Sequence, residues 1–361
     1  MSKARQLADL GNQVDDGAVT GSNMVVNGGM TVAQRGAGPF TNASGGYQTV
    51  DRFQLSGTMG GSFTLEQVSD APSGSGFDKS FKALAPTGFS SPTAAASAKI
   101  ATSIEAQNLQ HLMYGSSNAV TVTVSFWVKA TVTGTYIFEL YGDDSNRTIS
   151  TAYTISTSNT WEKKIITIDG DVSGTINNDN GSGLTAQWWI GAGSNFTSGT
   201  LQTAWGSYTA ANRAVGQVNS VASNNDAFYL TGVCLNVGDS AIDFPHESYG
   251  DTLAKCQRYF AQFSVLSGGD RIFVGAVESS TKSRHDIPLA TAMRATPTVS
   301  TNGSLSVYDP SSSRGFSNPN LSAVTNSMIG LKVDISGATA GNSCMIRFNS
   351  ASDYLRLDAE L

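Results

Sequence analysis

Aromatic side chains in polar, glycine-bearing stretches are the residues of this sequence best suited to binding chemistry. A ring face packs against the apolar face of a pyranose while neighbouring polar groups bond the sugar hydroxyls. Trp205 and Tyr208 lie in one such stretch, TLQTAWGSYTAAN, and Phe196 lies shortly before it. Trp189 follows Trp188 directly, so in a strand the two rings point to opposite faces and at least one belongs to a core. The candidate carbohydrate contacts are therefore Trp189, Phe196, Trp205 and Tyr208.

The sequence leaves two alternatives to these aromatic contacts open. Trp205 and Tyr208 could anchor their own loop instead of touching a ligand. The polar segments 267–271 and 311–320 are equally good contact surfaces, because recognition on rigid β scaffolds is commonly carried by loops.

One acidic segment could bind a cation. The stretch DGDVSGTINNDNGSG, residues 169–183, supplies Asp169, Asp171 and Asp179 as oxygen donors of the kind that calcium prefers. Its spacing does not follow the EF-hand, which closes on a glutamate, and runs of Asp, Asn and Gly also form turns. Calcium at these three residues is the one metal candidate, and no other cofactor is expected.

The sequence offers little material for catalysis, which needs placed acids, bases or nucleophiles. His111, His246 and His285 are the three histidines, and none belongs to a G-x-S-x-G elbow, an H-E-x-x-H helix or a nucleophilic-cysteine signature. We therefore expect a protein that is not an enzyme. Two carboxylates distant in sequence can still meet in space, so glycoside hydrolysis stays open as a minor alternative.

Composition limits the partners. The net charge of -6 is spread along the chain without a cluster of Lys or Arg, which argues against nucleic acid. No apolar run approaches the roughly 20 residues that span a bilayer, so membrane insertion is not expected. The N-terminus has no apolar signal core, which predicts synthesis in a cytoplasm. Cys234, Cys256 and Cys344 lie far apart in apolar surroundings, a pattern typical of buried free thiols.

The elements that must position these residues are predicted to be strands. Charged residues form only 14% of the chain, below the roughly 25% that is usual, while Gly, Ser, Thr and Asn are abundant. Alternation of polar and apolar residues is clearest at 120–130, VTVTVSFWVKA. Similar segments are 62–67, 134–141, 149–155, 161–168, 184–191 and 228–237. About eight or nine strands in this region suit one jelly-roll sandwich with long loops.

The pattern divides the chain into three parts. Residues 1–23 open with MSKARQLADLG, whose apolar spacing predicts a short helical anchor followed by a polar linker. Residues 24–247 form the jelly-roll sandwich. Residues 248–361 form a smaller β-sandwich that opens with a helix, because apolar residues recur at helical spacing from 248 to 263.

Seven stretches and the ending DAEL resemble phage tail-fibre and related virion receptor-binding proteins of the marine-phage type. In chain order they are NGGMTVAQRG (27–36), YQTVDRFQL (47–55), IEAQNLQHL (104–112), VTVSFWVKA (122–130), DNGSGL (179–184), YLTGVCLNVGD (229–239) and FPHESYGDTLAKCQRYF (244–260). No single stretch is specific, and the resemblance rests on their order over almost the whole chain. One departure is that Cys234 and Asn236 stand where family members tend to carry Gln and Glu, so no polar role is carried over to them.

The resemblance implies a carbohydrate-binding-module-like jelly roll, a small C-terminal sandwich and assembly as a homotrimer. It further implies a place in the virion tail, with the N-terminus bound to other tail proteins and outer surfaces contacting a host-surface glycan or envelope protein. Two alternatives stay open. One is a structural fibre or decoration component with the same fold but without a receptor, and the other is a glycan-degrading tailspike, which the lack of a long β-helix repeat disfavours.

Overall fold

The computed structural model describes residues 22–43, 45–57, 59–310 and 312–361. These residues form two compact units, one extending to Thr252 and also containing Leu361, the other spanning Leu253–Glu360. The N-terminal helical anchor expected at 1–23 lies outside the described residues except for its last two positions.

The described part of the first unit contains twelve strands. They are β1 (Phe40–Ala43), β2 (Gln54–Ser56), β3 (Phe63–Val68), β4 (Ser80–Ala85), β5 (Ser97–Glu105), β6 (Val122–Ala130), β7 (Gly134–Gly142), β8 (Arg147–Ile155), β9 (Glu162–Ile168), β10 (Ser182–Ala192), β11 (Gly206–Ser207) and β12 (Asp226–Val237). Short helices occur at Ala106–Leu112 and Ala210–Asn212 (both 3-10), at Ser194–Thr197 (α1) and at Tyr249–Gln257 (α2).

The first unit is a jelly-roll β-sandwich. One sheet has the order β1-β3-β4-β12-β6-β9 and the other β11-β8-β7-β10-β5-β2, with antiparallel pairing. Their inner faces share one core, in which the ring of Trp188 lies 5.2 Å from that of Phe138 and 5.6 Å from that of Phe126. Apolar residues at every second position of a strand all face one side, which is why these segments pack as two layers.

Seven of these strands confirm the alternation in the sequence, each with ends within two residues of the expected ones. The sandwich nevertheless has more strands than the eight or nine expected. The additional ones include short strands at sheet edges, β1, β2 and β11, whose two to four residues are too few to display a period.

The second unit is the expected smaller β-sandwich. Its strands are β13 (Phe260–Ser264), β14 (Arg271–Ser279), β15 (Lys282–Pro288), β16 (Thr298–Asn302), β17 (Leu305–Tyr308), β18 (Ser313–Gly315), β19 (Ser317–Val324), β20 (Met328–Asp334), β21 (Ser343–Phe348) and β22 (Tyr354–Asp358). A three-stranded sheet, β13-β22-β16, and a seven-stranded sheet, β18-β17-β21-β14-β15-β20-β19, enclose one core.

The helix expected over 248–263 ends earlier, because α2 stops at Gln257 and Phe260 begins β13. Phe260 pairs with Asp358 and Phe263 with Leu355, so the backbone of this segment joins the last strand of the chain. All three cysteines are buried and free, as the sequence predicts. None of the helices in the described residues combines the length and apolar character needed to cross a bilayer.

Candidate functional site

The main candidate site is a cleft of about 580 Å³ on the outer face of the second sheet of the first unit. Strand register assembles its floor. Gln187 on β10 lies between Ala101 on β5 and Glu139 on β7, and the next outward pair along β10 joins Thr185 to Ser103. Because side chains alternate along a strand, these residues face away from the core that holds Trp188. The floor is therefore polar on a sheet whose other face packs into the hydrophobic core.

Two tyrosines and an arginine form a wall of the cleft. Tyr208, on the segment after β11, is 37% exposed, and its ring meets that of Tyr141 edge-on at 6.1 Å. The guanidinium of Arg213 lies 4.8 Å from the centre of the Tyr208 ring and donates a hydrogen bond to its hydroxyl oxygen at 3.1 Å. The wall thus presents an aromatic side chain whose orientation is already held by a cation.

Arg213 is fixed by a buried acid. Its Nε and Nη2 donate to the two carboxylate oxygens of Glu139 at 2.7 and 3.0 Å, and Glu139 also accepts from Trp189 Nε1 at 2.8 Å. Burial alone would lower the pKa of Arg213, but the Glu139 carboxylate raises it above its ordinary value. The pair is a neutral, rigid support, and one further bond from Arg213 reaches Gln187 Oε1 at 3.3 Å.

Lys99 forms the basic end of the cleft. Its side chain is 8% exposed and its ammonium lies 4.6 Å from the centre of the Trp189 ring. Burial and the charge of Arg213 lower its pKa while the charge of Glu139 raises it, and together they leave the pKa of Lys99 at about 8. Within the described part of the chain, no acceptor lies within hydrogen-bonding distance of the ammonium.

Asp143 forms the acidic end, on the turn after β7. Its Oδ2 accepts hydrogen bonds from the hydroxyls of Ser182 and Thr185, both at 2.8 Å. Burial raises the pKa of Asp143 to about 6, although these two hydroxyls lower it in part. Thr185 pairs with Ser103, which lies four residues from Lys99 along β5. At the usual rise of a strand, this places Asp143 about 13 Å from Lys99. The cleft therefore carries opposite charges at separated ends.

The structure separates the four aromatic residues predicted to contact carbohydrate. Only Tyr208 among them lines the cleft. Trp189 is fully buried beneath it, and Phe196 packs against Trp189 at 5.4 Å between ring centres. Trp205 contacts Tyr114 edge-on and donates from Nε1 to the backbone oxygen of Asp169 at 2.8 Å, so its role here is to anchor the loop.

Of the three calcium candidates, Asp171 and Asp179 have separate protein contacts, and Asp169 is exposed. Asp171 is buried and accepts from Arg147 Nε and Nη2 at 2.6 and 3.0 Å. Asp179 Oδ1 accepts from the backbone of Gly181 at 2.8 Å, which closes a turn. Across the described ranges, no group of three or more His, Cys, Asp or Glu side chains is arranged to hold a metal ion. Calcium at these positions stays a prediction from the sequence.

A second cavity of about 330 Å³ lies on the other sheet of the first unit. Its rings are Trp127, Phe77, Phe244 and His246, of which the last three contact one another at 4.8–5.0 Å. A Cβ added at Gly232, where φ is +62°, would come within 2.8 Å of Phe77. Three of these rings already pack against one another, which leaves less ring surface for a ligand. We therefore favour the larger cleft, whose floor is polar and buried.

The sequence interpretation missed Lys99, Glu139, Gln187 and Arg213. Two of them could have been recognised from the residues around them in the sequence. Lys99 is a single cation within SAKIATSIE, a strand of small and apolar residues, and Arg213 stands alone among small residues in AANRAVG. A charge at such a position requires a partner or a solvent-filled cleft.

Comparisons with known proteins return distant similarities. No protein-family description matches the chain, and no curated protein sequence does so either. Among solved structures, the module TmCBM61 in complex with β-1,4-galactotriose aligns with 11% identity over 60% of this chain and 99% of its own, at a TM-score of 0.31. The CBM22-1–CBM22-2 tandem domain of Paenibacillus barcinonensis Xyn10C aligns with 10% identity over 95% and 98%, at 0.30.

The enzymatically active domain of bacteriophage CBA120 tailspike protein 4 aligns with 15% identity over 60% of this chain, at a TM-score of 0.30. This chain spans 21% of that tailspike chain. TM-scores of this size carry no argument about function, and the jelly-roll description given above rests on the strands and sheets of the protein itself.

Proposed function

We propose that the first unit binds a glycan in the cleft between Lys99, Asp143 and Tyr208. The observation that carries this proposal is the combination of an exposed, positioned tyrosine with a floor of buried polar side chains. Sugars offer both an apolar ring face and a fringe of hydroxyls, and a cleft with one aromatic wall and convergent polar groups complements both.

The cleft supplies more polar groups than the protein itself uses. Gln187 is 6% exposed, and its Oε1 accepts from Arg213 while no acceptor for its amide donors is present in the described residues. A ligand that brings hydroxyls can accept hydrogen bonds from these amide donors.

We infer that this glycan belongs to a host surface and that the chain is a tail-fibre or receptor-binding subunit of a phage virion. The support is the ordered set of stretches that resemble such proteins. A homotrimer bound through its N-terminus to other tail proteins would multiply weak single-site affinities, which suits a repetitive cell surface.

We further propose that binding occurs without cleavage. Among the described residues that line the cleft, Asp143 carries the one side-chain carboxylate, and Leu361 at the end of the chain lines it as well. Glycoside hydrolysis ordinarily uses two, separated by about 5–9.5 Å. The nearby Glu139 is fully occupied by Arg213 and Trp189, which supports a structural role for it.

Binding of the labelled full-length protein to a glycan array and to host cells tests this proposal, with released reducing ends measured in parallel. We expect saturable binding without sugar release, weakened up to about tenfold in Tyr208→Ala, because an aromatic contact is worth about 0.5–1.5 kcal/mol. Tyr249→Ala is the matched control, since Tyr249 is 59% exposed and does not line the cleft.

The proposal is wrong if the folded protein binds no saccharide, or if both tyrosine variants weaken binding equally. The first outcome would favour a structural virion component. New reducing ends would overturn the non-catalytic part and favour a tailspike.

A further inference from the structure

Lys99 is a buried cation that the protein leaves without a counter-ion. Its side chain is 8% exposed, it lines the cleft, and no acceptor in the described residues bonds its ammonium. Its ammonium lies 4.6 Å from the centre of the Trp189 ring, and the opposite charges of Arg213 and Glu139 also act on it. An ammonium has three donors, and a ring face satisfies none of them as a hydrogen bond does.

The charges around Lys99 do not balance. Arg213 and Glu139 cancel through their bidentate contact, which leaves the charge of Lys99 in excess at this end. Leu361, at the end of the chain, also lines the cleft, but in the described residues no hydrogen bond or ion pair joins it to Lys99. Asp143 is too far away to pair with it, since the strand between them accounts for about 13 Å. A neutral ligand that covered Lys99 would remove its remaining water without supplying charge, which is unfavourable.

We propose that the sugar bound in this cleft is acidic and that its carboxylate binds the ammonium of Lys99. This inference rests on the glycan-binding function proposed above and specifies the class of glycan. The carboxylate supplies the missing acceptors and the missing charge together. The hydroxyls of the same sugar and its neighbours then bond Gln187 along the floor and Asp143 at the far end.

The chemistry of Asp143 agrees with this direction of binding. An anion would be repelled by that carboxylate, so the acidic group belongs at the Lys99 end and neutral hydroxyls at the Asp143 end. The lowered pKa of Lys99 also fits, because an ammonium that burial destabilises gains more from a new anion than an exposed one. The cleft thereby specifies both the charge of the ligand and its orientation.

The test compares a uronic-acid oligosaccharide with the same oligosaccharide after its carboxyl groups have been reduced to alcohols. Titration calorimetry on the full-length protein should give at least about tenfold tighter binding of the acidic form, because a bond between charged partners is worth about 1.5–3 kcal/mol. Lys99→Met, which keeps the stem over Trp189, should abolish this preference. Lys99→Arg should retain most of it, and a sulfated oligosaccharide separates carboxylate recognition from general anion binding.

Lys163→Met is the matched control, because Lys163 is an exposed lysine on the other sheet and should leave the preference unchanged. Thermal melting of each variant verifies folding. Equal binding of acidic and reduced forms by the wild type, or a preference that survives in Lys99→Met, overturns the inference while glycan binding stands. Tighter binding of the sulfated sugar than of the uronate overturns the carboxylate assignment. Binding of no saccharide at all overturns glycan binding itself.

Discussion

Arg213 and Glu139, 74 residues apart in the chain, meet through two parallel hydrogen bonds of 2.7 and 3.0 Å beneath the wall of the cleft. Glu139 belongs to a strand and is fully buried, whereas Arg213 belongs to the long connection before β12. The bidentate contact therefore ties a connecting segment to the sheet that it covers.

Glu139→Ala should destabilise the protein by about 3–5 kcal/mol, because it leaves the guanidinium of Arg213 buried and unpaired. The double variant Glu139→Ala/Arg213→Met removes both charges and should lose less stability than the sum of the losses in Glu139→Ala and Arg213→Met. Chemical denaturation of the full-length chain measures these free energies of unfolding. Additive losses would show that the pair is not energetically coupled.

Binding of an acidic oligosaccharide should weaken as pH rises through 8. Burial lowers the pKa of Lys99 to about 8, so the free protein loses the ammonium above that pH and affinity falls by up to about tenfold per pH unit. Glu139 and Arg213 face Lys99, and Tyr141, Tyr208, Asp143 and the chain end at Leu361 line the same cleft.

The control for this titration is Lys99→Arg, whose guanidinium stays charged throughout. Its affinity should remain level between pH 7 and 9.5 when measured by calorimetry. Asp143 ionises near pH 6 and lies about 13 Å away, so salt screens most of its effect. A parallel decline in both proteins would assign the pH dependence to another group.

Asp143→Asn should stabilise the protein at neutral pH by about 1–2 kcal/mol. Burial raises the pKa of Asp143 to about 6, so between pH 4 and 6 the unfolded chain releases a proton that the folded protein retains. The contribution of the Asp143 carboxyl to the free energy of unfolding is therefore fully present below about pH 4, and it is lost as pH rises to about 6. Thermal unfolding at pH 4, 5, 6 and 7 should show the two proteins diverging over this interval, and a constant difference would contradict the assignment.

The three thiols should not react in the folded protein. Cys234 and Cys344 are buried, and burial raises the pKa of each to about 11, while Cys256 is fully buried. The thiolate is the reactive form, so a disulfide reagent at pH 8 should find fewer than one thiol per native chain and three after denaturation. Rapid native reaction of one thiol would show local opening at that cysteine.

Sequence periodicity was sufficient for much of the fold. Long strands such as Val122–Ala130 and Asp226–Val237 are half-buried surfaces, and alternation reports this directly. The end of α2 was not predictable in the same way. Phe260–Ser264 carries apolar spacing that suits a helix, but its partner Tyr354–Asp358 lies some 90 residues later, and pairing with that strand decides its structure.

The residues that form the cleft were harder to predict from the sequence than the fold was. Tyr208 was identified because it is aromatic and lies in a polar loop, yet Trp205 meets the same description and anchors the loop instead. Lys99 and Gln187 reach the same floor only through the register of β5 and β10, which no local pattern encodes.

The wall and the floor of the cleft have separate origins in the chain, and this affects how recognition could diversify. Tyr208 and Arg213 come from one connection, residues 193–225, whereas Gln187 and Lys99 belong to strands whose other faces build the core. Substitutions within that connection would remodel the mouth of the cleft while the hydrogen-bonded ladder below stays intact. For the receptor-binding role proposed above, ligand specificity would thus vary within one short stretch of the gene at little risk to folding.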